Sequence, residues 1–233
     1  MPFFMSDLLT RWRKRFSADA PDRPSRLRWK VVVKTLSERH RRRLLRHFLG
    51  LGPSDRLLRF GSQLPDELVE RYVNGLNFER DVLFGVFDPA FRLVGVGHLA
   101  FAPSAGNETW KRNTSKEQVA EFGVSVSASA RRHGVGSKLF QRAAIHCRNA
   151  DIDTLYMHCL ASNATMMHIA RKAGMEIRRA WGEADAYLQL PPASPGSMLQ
   201  EAVDEQLAVF DYTWKSNLRR LGRWLPEKFK RRT

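Results

Sequence analysis

Arg131-Arg132-His133-Gly134-Val135-Gly136 lies between a strand-like run, Val119-Ala-Glu-Phe-Gly-Val-Ser-Val126, and a helix-like run from Ser137 to about Ala150. This junction decides the fold. Glycine has no Cβ, so backbone N–H groups here can come close to an anion. The helix start adds unpaired N–H donors and a partial positive charge. The result is a pyrophosphate cradle made of main chain, with a plain tight strand-to-helix turn as the alternative. There is no Gly-Lys-Ser/Thr, which excludes a Walker-type phosphate loop. Leu139 stands where the third glycine of a dinucleotide fingerprint would fall, and no βαβ unit opens there.

About 30 residues on comes Asn163-Ala-Thr-Met166-Met-His-Ile169-Ala170-Arg-Lys172-Ala-Gly174-Met175, with a strand, Thr154 to Cys159, between the two segments. An Arg-x-x-Gly-x-Gly loop after an extended strand, followed by an Asn that opens a helix ending in Lys-x-Gly, resembles the two signatures of the GNAT (GCN5-related N-acetyltransferase) superfamily. The joint match covers Val119 to Met175, and a weaker pattern extends from about Arg28 to Leu190. Asp55-Arg-Leu-Leu-Arg-Phe60 resembles a segment after the first helix of some members, including bacterial protein-lysine acetyltransferase-like ones.

The resemblance implies an α/β (α+β) GNAT fold: a mixed, mostly antiparallel twisted sheet flanked by helices. It implies acetyl-CoA as cosubstrate, lying in a V between the signature strand and the strand Thr154–Cys159. Pantetheine would pair with the backbone near Val124 and Val126. The pyrophosphate would accept N–H bonds from the loop Arg132, His133, Gly134, Val135, Gly136 and Ser137, with Arg131 supporting the loop and its phosphates. For Arg131 and Arg132 the alternative is surface charge. Asn163 would take the family's cofactor-binding or helix-capping role. The second signature usually carries Tyr seven residues after the Asn, poised to protonate the departing thiolate. This chain has Ala170 there, which puts a tyrosine acid in doubt. Cys159 and Ser162 are weak substitutes.

Glu121 is the candidate general base. Its strand run, Val119-Ala-Glu-Phe-Gly-Val, is apolar around it, and a carboxylate there is costly to bury unless paired or functional. An acceptor amine that binds protonated needs a base. A Glu commonly occupies this strand in protein-lysine acetyltransferase-like members and does that work. The alternative is a strand position that faces water. His98 could line the acceptor site or be a satisfied strand histidine. The Met166-Met167-His168 run reads as core plus one polar position. The histidines lack ligand spacing with Cys or carboxylates, so no metal site is read.

Composition sets the frame. The 233 residues suit one domain with extensions, and a hydrophobic content of 43% supports a core. Cys147 and Cys159 make no disulfide framework, so a reducing compartment is expected. No apolar run approaches the roughly 20 residues that cross a bilayer, and the N-terminal order of apolar then basic residues is wrong for a secretory signal. The expected place is the cytoplasm, with a peripheral position at the inner membrane face as a further option.

The net charge of +15 is uneven. Residues 1–48 hold 14 Lys/Arg against 4 Asp/Glu, residues 211–233 hold 8 against 2, and the stretch between is near neutral at 17 against 18. Basic ends around a neutral middle read either as solvated charge or as a footprint for an anionic partner. Three segments are expected: a basic amphipathic extension and linker over 1–25, the acetyltransferase domain over 26–192, and a C-terminal amphipathic basic helix over 193–233.

Within them, Phe3 to Phe16 reads as a short amphipathic helix and Ser17 to Ser25 as a linker. Arg28 to Thr35 reads as a strand. Thr35-Leu-Ser-Glu38 reads as a capping box opening a helix to about Leu49, and a second helix is expected from Pro65 to about Leu76. Strands follow at Asp81–Phe87 and Leu93–Phe101, then a polar loop, Ser104 to Lys116. Two more strands, Glu176–Trp181 and Ala186–Leu190, close the domain.

Ser197-Met-Leu-Gln200 reads as a second capping box. Beyond it Leu199, Val203, Leu207, Phe210, Trp214, Leu218, Leu221 and Leu225 form one apolar stripe. That stripe is expected to dock on its own domain or pair with a dimer mate; an anionic membrane surface is the second option, ahead of nucleic acid.

The function expected is acetyl-CoA-dependent N-acetyl transfer to a primary amine, on a protein lysine or a small molecule, with Glu121 as base. The alternatives are a GNAT-fold acyl-CoA sensor with little catalysis, as Ala170 permits, and a basic-tailed adaptor carrying the domain as cargo.

Overall fold

The strands Val82–Phe87 and Leu93–Phe101 are buried on both faces, so both sides of the sheet are covered there. A computed structural model describes residues 29–101 and 118–224, with side chains of the last helix described to residue 219. The expected helix Phe3–Phe16, the linker Ser17–Ser25 and the loop Ser104–Lys116 lie outside the described residues, as does everything beyond Trp224. The elements run β1 (Val33–Thr35), α1 (Arg41–Leu49), α2 (Pro53–Phe60), α3 (Asp66–Asn74), β2 (Val82–Phe87), β3 (Leu93–Phe101), β4 (Val119–Val126) and α4 (Val135–Asn149). They continue with β5 (Thr154–Leu160), α5 (Ala164–Ala173), β6 (Glu176–Ala180), β7 (Glu183–Gln189) and α6 (Pro195–Trp224).

The strands form one seven-stranded sheet in the order β1-β2-β3-β4-β5-β7-β6. Among them only β4 and β5 pair in parallel. Side chains alternate between the two faces along each strand, and β4 shows what each face meets. Phe122 points to the α4 side, where its ring meets Phe140 edge-on at 5.6 Å between centroids. That side holds the larger core, with Leu139, Ala143, Met167, Ile169 and Ala170. Glu121, Gly123 and Ser125 point to the opposite face, where α1 and α3 cover a second core of Leu44, Phe48, Val69, Val73, Leu83 and Val96. Ser125 there meets the buried His47, Nε2 to Oγ at 2.8 Å.

Several local expectations shift. Two helices were expected before β2, and three form. Gly52-Pro53 reads as a turn in sequence, yet Pro53 sits in the first turn of α2, where a missing N–H costs nothing. The expected strand from Arg28 reduces to three residues. The first capping box joins Ser37 and His40, not Thr35 and Glu38. Thr35 instead donates its hydroxyl to Glu205 at 2.8 Å, and Glu38 pairs with Arg41 at 2.6 Å. The second box moves one turn upstream: Ser194 Oγ accepts from Ser197 N at 3.2 Å and Ser197 Oγ accepts from Ser194 N at 3.0 Å.

The largest difference is the face that α6 presents. The helix does dock on its own domain, along β1 and α4, but through its polar side. Arg142 of α4, only 5% exposed, donates to Glu201 at 2.7 Å and to Glu205 at 3.1 Å. His146 and Asn149 also bond Glu201, at 2.8 and 2.6 Å. Ala208 is buried, Tyr212 packs among Phe87 and Phe91, and Lys215 donates to the Phe87 carbonyl at 3.0 Å. A buried arginine needs carboxylate partners, and α6 supplies two. The apolar stripe from Leu199 to Leu218 therefore faces outward.

Candidate active site

The site begins where the sheet opens. β4 and β5 pair over three positions only, Val119↔Thr154, Ala120↔Leu155 and Glu121↔Tyr156. β4 continues to Val126 on β3, and β5 continues to Leu160 on β7. The two strands therefore part after Glu121 and leave the β5-facing backbone edge of Val124 and Val126 without a strand partner. A split with a free strand edge suits a ligand that carries amide groups, because it can complete the ladder.

The loop Arg131–Gly134 closes the wide end of this split. Arg132 and Gly134 adopt left-handed backbone, φ +63° and +77°. For arginine that conformation costs on the order of 1 kcal/mol, so the surrounding structure must hold it. The first intrahelical bond of α4 runs from Lys138 N to Gly134 O at 3.0 Å. The N–H groups of Val135, Gly136 and Ser137 precede it and point from the helix start. A Cβ at Gly134 would meet nothing within 4 Å, so this position borders open space. Gly136 serves a different purpose from the one its sequence context suggests. It lies inside α4, and a Cβ there would come within 3.2 Å of Ile169 Cδ1, so it brings α5 close to α4. The geometry fits a pyrophosphate: N–H donors, a helix N-terminus and room in front of them.

Arg131 turns away from that space. Its guanidinium pairs with Asp55 of α2 at 2.5 Å, and its Nε donates to the Val126 carbonyl at 3.4 Å. It buttresses the loop. His133 holds the Arg131 carbonyl through Nδ1 at 2.8 Å and lies 6.3 Å, centroid to centroid, from Trp29. Asn163 is the N-cap of α5, its Oδ1 accepting from Met166 N at 3.1 Å, while its Nδ2 donates to the Leu58 carbonyl at 3.5 Å. Its side chain is engaged in positioning α5 against α2.

Glu121 sits at the last paired position before the split, on the face covered by α1–α3. It is half-buried, and among the described residues no hydrogen bond or ion pair engages its carboxylate. Beside it runs a polar chain. Arg59 Nη2 donates to the Tyr72 hydroxyl at 2.9 Å, and that hydroxyl meets His98 Nδ1 at 3.0 Å. His98 Nε2 meets Asp81 at 3.2 Å, and Arg80 donates to Asp81 at 2.8 Å. With Tyr72 donating to Nδ1 and Nε2–H donating to Asp81, the imidazole is neutral and satisfied. Burial holds its pKa below the usual range, and the nearby Arg59 adds to that. Burial raises the Tyr72 phenol; Arg59 opposes this, while Asp81 and Glu121 add to it. His98 is thus a satisfied strand histidine, and it also lines an open groove of about 450 Å³ with Leu68, Arg71, Tyr72, Gly75 and Arg80.

Sequence reasoning missed Arg59, Tyr72 and Asp55. One signal was available: a glycine inside a strand marks close approach. A Cβ on Gly123 would stand 2.8 Å from Arg59 Cζ. The guanidinium therefore lies flat on β4, two residues from Glu121. In Asp55-Arg-Leu-Leu-Arg-Phe60 the polar residues have separate tasks. Asp55 pins the Arg131–Gly134 loop, and Arg56 ties the Leu49, Leu51 and Leu64 carbonyls. Arg59 reaches the Tyr72 hydroxyl.

Tyr156, opposite Glu121, donates to Asp185 at 2.6 Å, and His158 meets the same carboxylate at 2.8 Å. Burial, then Asp185, raise the Tyr156 phenol, which stays protonated. Ala170 is fully buried, Met166 and Met167 are buried, and His168 is exposed. Cys159 is buried and its thiol pushed up by that burial.

The sequence profile described as "Acetyltransferase (GNAT) family" matches residues 58–175, just over half of the chain. No curated protein matches it in sequence. Among solved structures the chain is similar to the GNAT domain of S. lividans PAT (18% identity, TM-score 0.55, covering 68% of this chain and 89% of that one). It is also similar to Arabidopsis thaliana NAA60 bound to a bisubstrate analogue (12%, TM-score 0.52, 70% and 100%). A third is yncA of Salmonella typhimurium, an acetyltransferase solved with acetyl-CoA (10%, TM-score 0.51, 71% and 97%). At these identities the likeness is one of fold.

Proposed function

The chain belongs to the acetyltransferase (GNAT) family, and on that premise we propose that it acetylates a primary amine, with Glu121 as the base that frees it. The chain is an N-acetyltransferase and acetyl-CoA is its cosubstrate. The amine acceptor, the role of Glu121 and the individual contacts are our reading.

One observation carries that reading: a half-buried carboxylate without a partner among the described residues, placed where β4 and β5 part. An unpaired carboxylate in such a place is costly and marks a functional group. The backbone edge of Val124 and Val126 is offered to the pantetheine amides, and the N–H groups of Gly134 to Ser137 to the pyrophosphate. The amine enters from the groove beside His98 and Tyr72, on the face that Glu121 shares.

In the reaction Glu121 takes a proton from the bound ammonium, directly or through a water. The amine nitrogen then attacks the thioester carbonyl carbon. The carbon–sulfur bond breaks, coenzyme A leaves as thiolate, and the new amide nitrogen gives up its second proton to solvent, from which the thiolate is protonated. Ala170 supplies no acid and Cys159 of β5 is buried, so neither of these positions protonates the departing thiolate. Arg59, held against β4 by Gly123, keeps the Tyr72–His98–Asp81 chain in one arrangement and so shapes the wall the acceptor passes.

The test is thiol release from acetyl-CoA against a panel of lysine peptides and small primary amines. Amine-dependent release supports the reading. Tight acetyl-CoA binding with no release toward any amine overturns it.

A further inference from the structure

The outward face of α6 has a composition that solvent alone does not explain. Between Met198 and Leu218 the exposed positions carry no charged residue at all. They include Leu199, Val203, Leu207, Phe210, Trp214 and Leu218, with Phe210 71% and Trp214 60% exposed. This apolar strip is about 30 Å long at 1.5 Å per residue, larger than the scattered apolar residues of an ordinary surface. The acids of the same helix lie on its inward half. Glu201 and Glu205 are bound to Arg142, and Asp211 is bound to Lys215 at 2.7 Å.

A second observation says what the strip faces. The Trp29 ring lies 5.6 Å from Lys215 Nζ. Residues 1–28, with 7 Lys/Arg against 3 Asp/Glu, therefore join the described domain beside the C-terminal half of α6. Residues 219–233, with 7 against 1, begin in that same half of the helix. The sequence on both sides of the domain is thus basic where it borders an uncharged apolar strip. A second copy of this chain would offer apolar area to the strip but little counter-charge, because its Glu201, Glu205 and Asp211 are already engaged inward. An anionic lipid surface offers both an apolar boundary layer and the missing counter-charge.

We propose that the outer face of α6, helped by the basic charge of residues 1–28 and 219–233, docks this acetyltransferase on an anionic lipid surface. The helix lies flat, Phe210 and Trp214 enter the headgroup boundary, and the basic segments hold the anionic lipids. Among the described residues no helix is long and apolar enough to cross a membrane, so this is surface docking.

The test uses the full chain and sedimentation with phosphatidylcholine vesicles, with and without phosphatidylglycerol, across a salt series. Binding should require phosphatidylglycerol and should weaken with salt without vanishing, because the apolar part is not screened. Phe210→Glu combined with Trp214→Glu should weaken vesicle binding by at least about tenfold. Both positions are exposed, so acetyl-CoA affinity should be unchanged, which verifies the fold. If the double variant binds vesicles as well as the parent, or if salt abolishes binding completely, the strip is not the docking face. If the parent ignores vesicles and sediments as a dimer that the double variant breaks, the strip belongs to a second copy and the proposal fails.

Discussion

Replacing Glu201 with Gln should loosen α6 measurably, and the pH dependence of the loss can be worked out beforehand. The Glu201 carboxylate accepts from Arg142, His146 and Asn149 at 2.7, 2.8 and 2.6 Å. Burial alone would raise its pKa, but these donors, His146 and Asn149 foremost, together with the Arg142 charge, bring it down from 4.5 to about 2. At 1.36 kcal/mol per pH unit that corresponds to at most about 3.4 kcal/mol of pH-dependent stability. The side chain keeps 21% exposure, so solvent screening reduces this to about 2 kcal/mol. A carboxyl whose folded pKa is depressed contributes fully above its unfolded value and is lost as pH falls through the folded one. The stabilisation is therefore complete above about pH 5, declines between roughly 4.5 and 2, and is gone below that. For a chain of this size about 2 kcal/mol is a melting shift of roughly 4–8 °C. Thermal unfolding followed by circular dichroism, parent against Glu201→Gln at a series of pH values, measures the difference. Equal melting temperatures at neutral pH, or a difference that persists undiminished below pH 2, would refute this account of how α6 is held.

Two further substitutions separate the two ends of the site. Gly134→Val forces a β-branched residue into φ +77° beside the open space of the phosphate loop. Acetyl-CoA affinity by calorimetry should fall at least about tenfold, from backbone strain of about 1–2 kcal/mol plus obstruction; unchanged affinity would remove the loop from the binding site. Gly123→Ala places a methyl 2.8 Å from the Arg59 guanidinium, which can swing aside. Stability should stay within about 1 kcal/mol, acetyl-CoA affinity should hold, and the KM for the amine should rise severalfold as the Tyr72 bond is lost. An unchanged KM would mean that Arg59 does not shape the acceptor side.

The fold was legible because its deciding segment is local. A strand, a loop with glycines and a helix follow one another from Val119 to Asn149, so Glu121, the loop and α4 could be placed from their order alone. The polar chain beside Glu121 was not legible, because it is assembled from distant pieces. Arg59, Tyr72, His98 and Asp81 meet only when α2 and α3 fold over β2 and β3, and nothing in their spacing announces it. The α6 stripe was read correctly as a pattern, but it is not the face by which the helix docks on its own domain. Periodicity locates an apolar face, but it does not say that the opposite face carries Glu201 and Glu205 for a buried arginine 59 and 63 residues away. Arg142 decides the docking, and in the sequence it looks like any helix-surface arginine. The short β1 and the extra helix α2 were missed for smaller reasons. Val31 and Val32 have β propensity but no partner strand, and Gly52-Pro53 suits a turn as well as a helix start.

The most direct test of the central claim is the pH dependence of amine acetylation by Glu121→Gln at saturating acetyl-CoA. If Glu121 frees the amine, kcat/KM near neutral pH should drop by about 10²–10⁴-fold while acetyl-CoA affinity stays that of the parent. The deficit should shrink as pH rises toward the pKa of the acceptor, where free amine no longer needs a base. Parent-like activity near neutral pH, or a deficit that is the same at every pH, would contradict the account and take Glu121 out of the chemistry.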